Sequence, residues 1–363
     1  MNFKRKKVSL VKTKVAIIKD IRDDIDYIKE AGSIIKDGGI VAFPTETVYG
    51  LGADALNSEA VKKIFIAKGR PQDNPLIVHV SSKDLSNLVK DVPKVAQDLM
   101  NKFWPGPLTI ILDKKDIIPD ETSAGLNTIG IRMPNNEIAL KLIELSGKPI
   151  AAPSANISGR PSPTEVERCV EDLDGKVDYI LGGNKSDIGV ESTIVDCTVN
   201  PPMVLRPGGI TLEMLREVDS RIEIDKALMS KPSDNLKPKA PGMKYRHYAP
   251  KADYRIFKGT ADKVADVITE LANEKSNEGK KTGIITANQH LDLYKKLNKD
   301  IEIVSLGDLD KPETIANKLF KALRDFDKDD VEFIFGEAFS EDNVGLAIMN
   351  RLTKAAGYNI TEV

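Results

Sequence analysis

Four prolines, Pro232, Pro238, Pro241 and Pro250, fall within residues 226–251 and divide the chain into two parts of different patterning. Each removes a backbone donor and disfavours helix, so this stretch reads as extended chain outside any core. Seven basic residues and one acid, Asp234, accompany the prolines. The second half packs Lys244, Tyr245, Arg246, His247 and Tyr248 into a short span, and plain tethers are poor in such aromatics.

Before this divide, apolar strands and amphipathic stretches mix without regular alternation. Ile21, Ile25, Ile28 and Ile35 recur at helical spacing, and Gly38-Gly39 end that helix before the apolar run Ile40 to Phe43. Further strands are expected over 76–80, 108–112, 128–133, 179–181, 193–196 and 204–206. The last three leave little room for intervening helices, so part of the sheet should be antiparallel. After the divide the alternation is regular. Strands near 254–257, 283–286, 301–305 and 331–335 are each followed by an amphipathic stretch, the first opening at Thr260 as N-cap. The expected fold class is α/β: a twisted mixed sheet with flanking helices, then a smaller parallel α/β domain of Rossmann or flavodoxin type. With 363 residues the chain has length for both. The second domain carries no G-x-G-x-x-G run and is expected to be non-catalytic.

Charge and composition exclude several classes. With 53 basic and 55 acidic residues the net charge is -2, so any nucleic-acid contact must be local. Lys4, Arg5, Lys6, Lys7, Lys12 and Lys14 form a basic arm that reads as a solvated terminus, with a weak RNA contact as the alternative. Two cysteines, Cys169 and Cys197, argue for a reducing compartment, and no apolar run is long enough to cross a bilayer. A cytoplasmic protein without membrane contact is expected. No P-loop, H-E-x-x-H or G-x-S-x-G motif occurs, and His79, His247 and His290 are the only histidines. What remains is a set of cations and hydroxyls suited to holding anions, with chemistry run by positioning and electrostatics.

Lys68-Gly69-Arg70-Pro71 closes a helical stretch and can present two cations to a polyanion. Alone, this is equally a cationic helix end complementing the dipole. Ser154-Ala155-Asn156 follows the apolar run Pro149 to Pro153, where α/β ligand sites lie, although S-x-N alone is a common turn. Arg132 sits in the strand-like Thr128 to Arg132 and needs an anionic partner, either a structural carboxylate or a ligand. His79, inside Leu76 to Val80, reads as readily as a satisfied core histidine.

Together with Phe43-Pro44-Thr45-Glu46-Thr47-Val48-Tyr49-Gly50-Leu51-Gly52, the K-x-R and S-x-N pair resembles the signature of the YrdC/Sua5 family, the threonylcarbamoyl-AMP synthases. The resemblance implies a YrdC-like catalytic domain over 1–220, a linker or lid over 221–252 and a C-terminal Sua5 domain over 253–363. It implies that L-threonine, bicarbonate and ATP, the last carrying Mg2+, become threonylcarbamoyl-AMP and pyrophosphate. The group then passes, through a separate transferase complex, to the adenosine beside the anticodon in tRNAs reading codons that begin with A. Lys68 and Arg70 are implied as catalytic. Asn74, Thr128, Ser154, Asn156, Ser162, Arg206, His247 and Tyr248 join them in binding ATP, while Thr47, His79, Arg132, Ala152 and Ser192 line the threonine pocket. No dedicated metal ligands are expected. An RNA-binding module without catalysis is the alternative reading. A carbamoyl transferase of metallocentre maturation shares the fold, but its acylphosphatase and zinc-finger segments are missing here.

Overall fold

The computed structural model describes residues 12–229, 238–243 and 248–363. Lys4, Arg5, Lys6, Lys7, Tyr245 and His247 lie outside the described residues. Among those described, eleven strands make the first sheet: β1 Lys14–Ile17, β2 Val41–Phe43, β3 Gly50–Asp54, β4 Ile77–His79, β5 Leu108–Asp113, β6 Thr128–Arg132, β7 Ile150–Ala152, β8 Tyr179–Gly182, β9 Thr193–Asp196, β10 Met203–Arg206 and β11 Glu223–Ile224. Its helices are α1 Ile25–Lys36, α2 Ser58–Lys68, α3 Lys94–Phe103, α4 Asp120–Ser123, α5 Glu137–Ser146, α6 Val166–Leu173 and α7 Leu212–Arg216.

The strand order β1-β8-β2-β3-β7-β4-β6-β5-β9-β10-β11 mixes directions, as the crowded strands near 179–206 suggest. β9 and β10 pair antiparallel, whereas β4 and β6 run parallel and bring His79 level with Arg132. α1 and α5 pack together and bury Ile28, Ile35, Leu142 and Ile143 with Val41, Phe43 and Tyr179. A larger core joins Val61, Phe65, Leu99 and Met100 to Leu51, Val78 and Ile110. β11 extends this sheet past residue 220 into the segment that the sequence assigns to the linker, because it finds an open edge on β10.

The second sheet is wholly parallel: β12 Asp253–Lys258, β13 Thr282–Thr286, β14 Glu302–Ser305, β15 Phe333–Glu337 and β16 Ile360–Glu362, in the order β14-β13-β15-β12-β16. α8 Ala261–Asn277, α9 Pro312–Lys328 and α10 Gly345–Ala355 cover it. One local expectation holds in position only, and one needs correction. Thr260 stands at the N-cap of α8 but its side chain makes no cap bond. The connection from β13 to β14 is a 3-10 turn, Asn288–Tyr294, not an amphipathic α-helix. Two of its side chains reach the end of the central strand β15, where His290 Nδ1 and the Tyr294 hydroxyl meet Glu337 at 2.7 and 2.6 Å.

The two domains share a core. Val48 and Val190 of the first pack with Tyr248 of the linker and with Ile315, Leu319, Phe320, Ile348 and Leu352 of the second. Gly189 marks a close approach. A Cβ there would stand 2.4 Å from Asn317 Cα, and its φ of +81° is itself a glycine conformation. Around this core Arg324 Nη2 meets Asp172 Oδ2 at 2.9 Å, and Asn317 donates to the carbonyls of Ser186 and Asp187 at 3.0 and 2.7 Å. Such apolar, ion-paired contact fixes the domains against one another.

Candidate active site

The loop from β2 to β3 builds one end of a cleft. Thr45 Oγ1 accepts from the backbone of Thr47 and Val48 at 3.2 and 3.3 Å and donates to Val48 O at 2.6 Å, a side-chain turn that fixes the loop. The turn aims Glu46 and Thr47 at Arg132, which ends β6. Arg132 Nη1 donates to Thr47 Oγ1 at 2.9 Å and Nε to Gly106 O at 3.3 Å, while Nη2 lies 2.6 Å from Glu46 Oε2. That last contact is close but lacks hydrogen-bond alignment, and neither Glu46 oxygen has a hydrogen-bond partner among the described residues. His79, beside Arg132, donates from Nδ1 to Ile77 O at 3.1 Å. Burial, then the Arg132 charge, pushes its pKa down to about 3. It is a neutral imidazole and no strong base.

The other end of the cleft grows from α2 and the segment after β7. Asn57 caps α2 by accepting from the Glu59 and Ala60 amides, and Gly69 closes it at φ 60° in the left-handed region. The closure turns the neighbouring cations apart. Arg70 faces the cleft and donates to the carbonyls of Asn74 and Pro75 at 3.4 and 3.3 Å. Lys68 does not project outward as expected: it is 2% exposed, and its Nζ donates to the carbonyls of Ser154 and Asn156. Buried beneath the S-x-N turn, those carbonyls are the acceptors within its reach. Burial, then the charge of Arg70, holds its pKa well below the usual lysine value. The same turn is braced from within, with Ser154 Oγ donating to Asn156 Oδ1 and Asn156 Nδ2 donating to Arg160 O at 2.9 Å.

Ser162 and the Glu191-Ser192 pair form the facing wall. Ser162 Oγ donates to Glu191 Oε1 at 2.6 Å, and Arg206 donates to Ser192 O and Oγ at 3.0 and 3.1 Å. Burial would raise the Glu191 carboxyl, but Arg351 and Arg206 outweigh it and hold its pKa down at about 2. Arg206 is lowered by burial to about 10, against the pull of Glu191, and still carries its charge at neutral pH. Tyr248 closes the wall from the linker side at 5% exposure, with its pKa raised by burial to about 12.

One cleft therefore brings together Thr47, Arg70, His79, Arg132, Ala152, Ser154, Asn156, Ser162, Ser192, Arg206 and Tyr248. Lys68 lies under its floor, and Asn74 is buried behind Arg70 with Oδ1 unpartnered among the described residues. Thr128 is not brought in. It opens β6 opposite Asp113, four residues from Arg132, so a strand of about 13 Å separates them. Sequence reasoning passed over Arg160 and Glu191, which also line the cleft, and Glu46, which pairs with Arg132. Glu46 and Glu191 each precede a residue that was singled out, and a buried carboxylate beside an arginine site was the available signal. Four arginines against one carboxylate, Glu191, make the lining suited to a polyanion. Among the described residues no three His, Cys, Asp or Glu side chains gather as a metal site, and no helix is long and apolar enough to cross a membrane.

Residues 33–208 match the family described as telomere recombination, the Sua5/YciO/YrdC group, and residues 210–357 match the threonylcarbamoyl-AMP synthase C-terminal domain. The chain is 49% identical over 352 residues to a threonylcarbamoyl-AMP synthase of Pyrococcus abyssi, covering 96% of this chain and 100% of that one. It is 46% identical to a Bacillus subtilis protein of the same name, covering 93% and 96%. The crystal structure of P. abyssi Sua5 complexed with L-threonine superposes with a TM-score of 0.89 at 48% identity, covering 97% of this chain and 99% of that one.

Proposed function

The chain belongs to the two-domain Sua5 family of threonylcarbamoyl-AMP synthases, and we propose that its cleft joins L-threonine, bicarbonate and ATP into threonylcarbamoyl-AMP, releasing pyrophosphate. The observation that carries this reading is the division of one cleft into two ends. Arg132, with Thr47 and His79 beside it, offers a buried cation to an amino-acid carboxylate. Arg70, the S-x-N turn, Ser162 and Arg206 offer cations and hydroxyls to a nucleotide. Ala152, at the end of β7, lies in the same lining and leaves room for a small side chain.

The threonine amine takes up carbon dioxide derived from bicarbonate and loses a proton, giving a carbamate. A carbamate oxygen then attacks the α-phosphorus of ATP, the bond to the bridging oxygen breaks, and pyrophosphate leaves with its electron pair. Arg70 neutralises charge on the departing group, and Lys68 holds the S-x-N turn in place through the Ser154 and Asn156 carbonyls. Mg2+ enters as part of the ATP substrate, held by phosphate oxygens and water. With His79 neutral, positioning and electrostatics do the chemistry. The product passes to a separate transferase that modifies tRNA.

The deciding assay follows pyrophosphate release from MgATP with threonine or bicarbonate omitted in turn. Release that needs both is expected, and release indifferent to threonine would refute the assignment.

A further inference from the structure

α10 of the C-terminal domain runs along the back of the nucleotide end of the cleft, and three of its side chains reach across the domain boundary. Arg351 is fully buried, with Nε donating to Glu191 Oε2 at 2.8 Å and Nη1 to Asn350 Oδ1 at 3.0 Å. The other oxygen of Glu191 accepts from Ser162 at 2.6 Å, so Glu191 is fixed from both sides. The Arg351 guanidinium also lies 5.7 Å from the centre of the Tyr248 ring, which stacks in turn on Phe320 at 5.0 Å. One turn later Lys354 Nζ donates to Gly242 O at 3.0 Å and to Asn350 Oδ1 at 3.2 Å, tying α10 to the linker where the linker passes Arg206. Arg351 itself does not line the cleft, but Glu191, Ser162, Gly242 and Tyr248 do.

From this arrangement we infer that Arg351 is a positioning residue for the nucleotide end: it fixes Glu191, which orients Ser162, and it holds Tyr248 of the linker against the cleft. The physical ground is the cost of the alternative. A buried carboxylate with two aligned donors has one orientation, and removal of Arg351 leaves Glu191 charged and buried without one of them, facing Ser162, Tyr248 and the Arg206 charge. Ser162 then follows Glu191 as it shifts, and Tyr248 loses the cation that faces its ring. The C-terminal domain in this reading completes the ATP site without contributing an atom to its surface. Threonine binding, organised by Arg132 at the far end, is unaffected.

This inference rests on the synthase reading, and its test separates the two. In the full-length chain Arg351→Met should raise KM for ATP tenfold or more while KM for threonine changes by less than about twofold. Arg351→Lys, which keeps the charge and loses the fork, should recover part of the ATP affinity. The double variant Glu191→Gln with Arg351→Met removes both buried charges, so it should regain thermal stability lost by Arg351→Met yet keep the raised ATP KM. A wild-type chain without threonine-dependent pyrophosphate release defeats the synthase reading. If the wild type is active, unchanged ATP KM in folded Arg351→Met or in the double variant overturns the positioning role. Equal loss of ATP and threonine affinity, or failure of every variant to fold, assigns the pair to the core alone and overturns it as well.

Discussion

Two buried arginine–glutamate pairs stand at opposite ends of the cleft, and they are built differently. At the amino-acid end Glu46 lies 2.6 Å from Arg132, yet the contact lacks hydrogen-bond alignment and both Glu46 oxygens remain without a hydrogen-bond partner among the described residues. At the domain boundary both Glu191 oxygens accept aligned bonds, one from Ser162 and one from Arg351. An ill-satisfied buried pair gives back little of the desolvation it costs, whereas a fully bonded one defines a geometry. The first is therefore suited to exchange its anion for a ligand, and the second to hold other groups still.

The largest effect should come from the exchangeable pair. Arg132→Met deletes the cation that meets the threonine carboxylate, and truncating one partner of a buried charge pair costs about 2–5 kcal/mol. KM for threonine should rise at least thirtyfold, with ATP affinity, read by direct titration, nearly unchanged. An equal loss for both substrates would break the contrast between the two ends.

A smaller effect separates competitor from scaffold. Glu46→Gln removes the resident anion, so the free protein should lose about 1–3 kcal/mol as Arg132 is left buried without a counter-charge. Threonine supplies that counter-charge, and saturating threonine should raise the thermal midpoint of Glu46→Gln by more than it raises the wild type's. If threonine shifts both proteins equally, Glu46 is a fixed part of the wall and the comparison fails.

Much of the cleft was legible because its residues cluster in short runs. K-x-R, S-x-N and the 43–52 run each fix a local backbone turn, and chain order fixes which strand end each occupies. The mixed and the parallel sheets followed from the spacing of apolar runs. What stayed hidden depends on contacts distant in sequence. Arg351 and Glu191 are 160 residues apart, and nothing near Arg351 in α10 sets it apart from the charged face of an amphipathic helix. Lys68 reads as a projecting cation because helix-end patterning carries no information about the turn that settles over it. β3 was missed since Gly50 and Gly52 depress strand propensity, while their bareness admits Phe43 and Ile150: a Cβ on Gly52 would stand 2.5 Å from Ile150 Cγ2. Thr128 sits on the same strand as Arg132 but at its opposite end, as the strand-like run 128–132 already implies.

The smallest predicted effect tests how the boundary end keeps its pair satisfied. Lys354 lies among Arg351, Arg206 and Glu191, and burial, then the two arginine charges, lowers its pKa to about 7, against the weaker pull of Glu191. A neutral amine has two N–H donors, and Lys354 makes two bonds, to Gly242 O and Asn350 Oδ1, so discharge leaves no donor wanting. The unfolded chain keeps this lysine protonated to about pH 10, so above pH 7 the unfolded state binds more protons than the folded one. Stability must then rise with pH between about 7 and 10, and level off below 7, where the lysine is protonated in both states and a third cation stands beside the arginines. Lys354→Met removes that dependence. Relative to the variant, the wild type should gain about 1–2 kcal/mol between pH 7 and 9 in denaturant titrations, with other titrating groups cancelling in the difference. Parallel stability curves for the two proteins would mean that Lys354 stays charged throughout, and that the boundary end holds three buried cations against one carboxylate without the relief argued here.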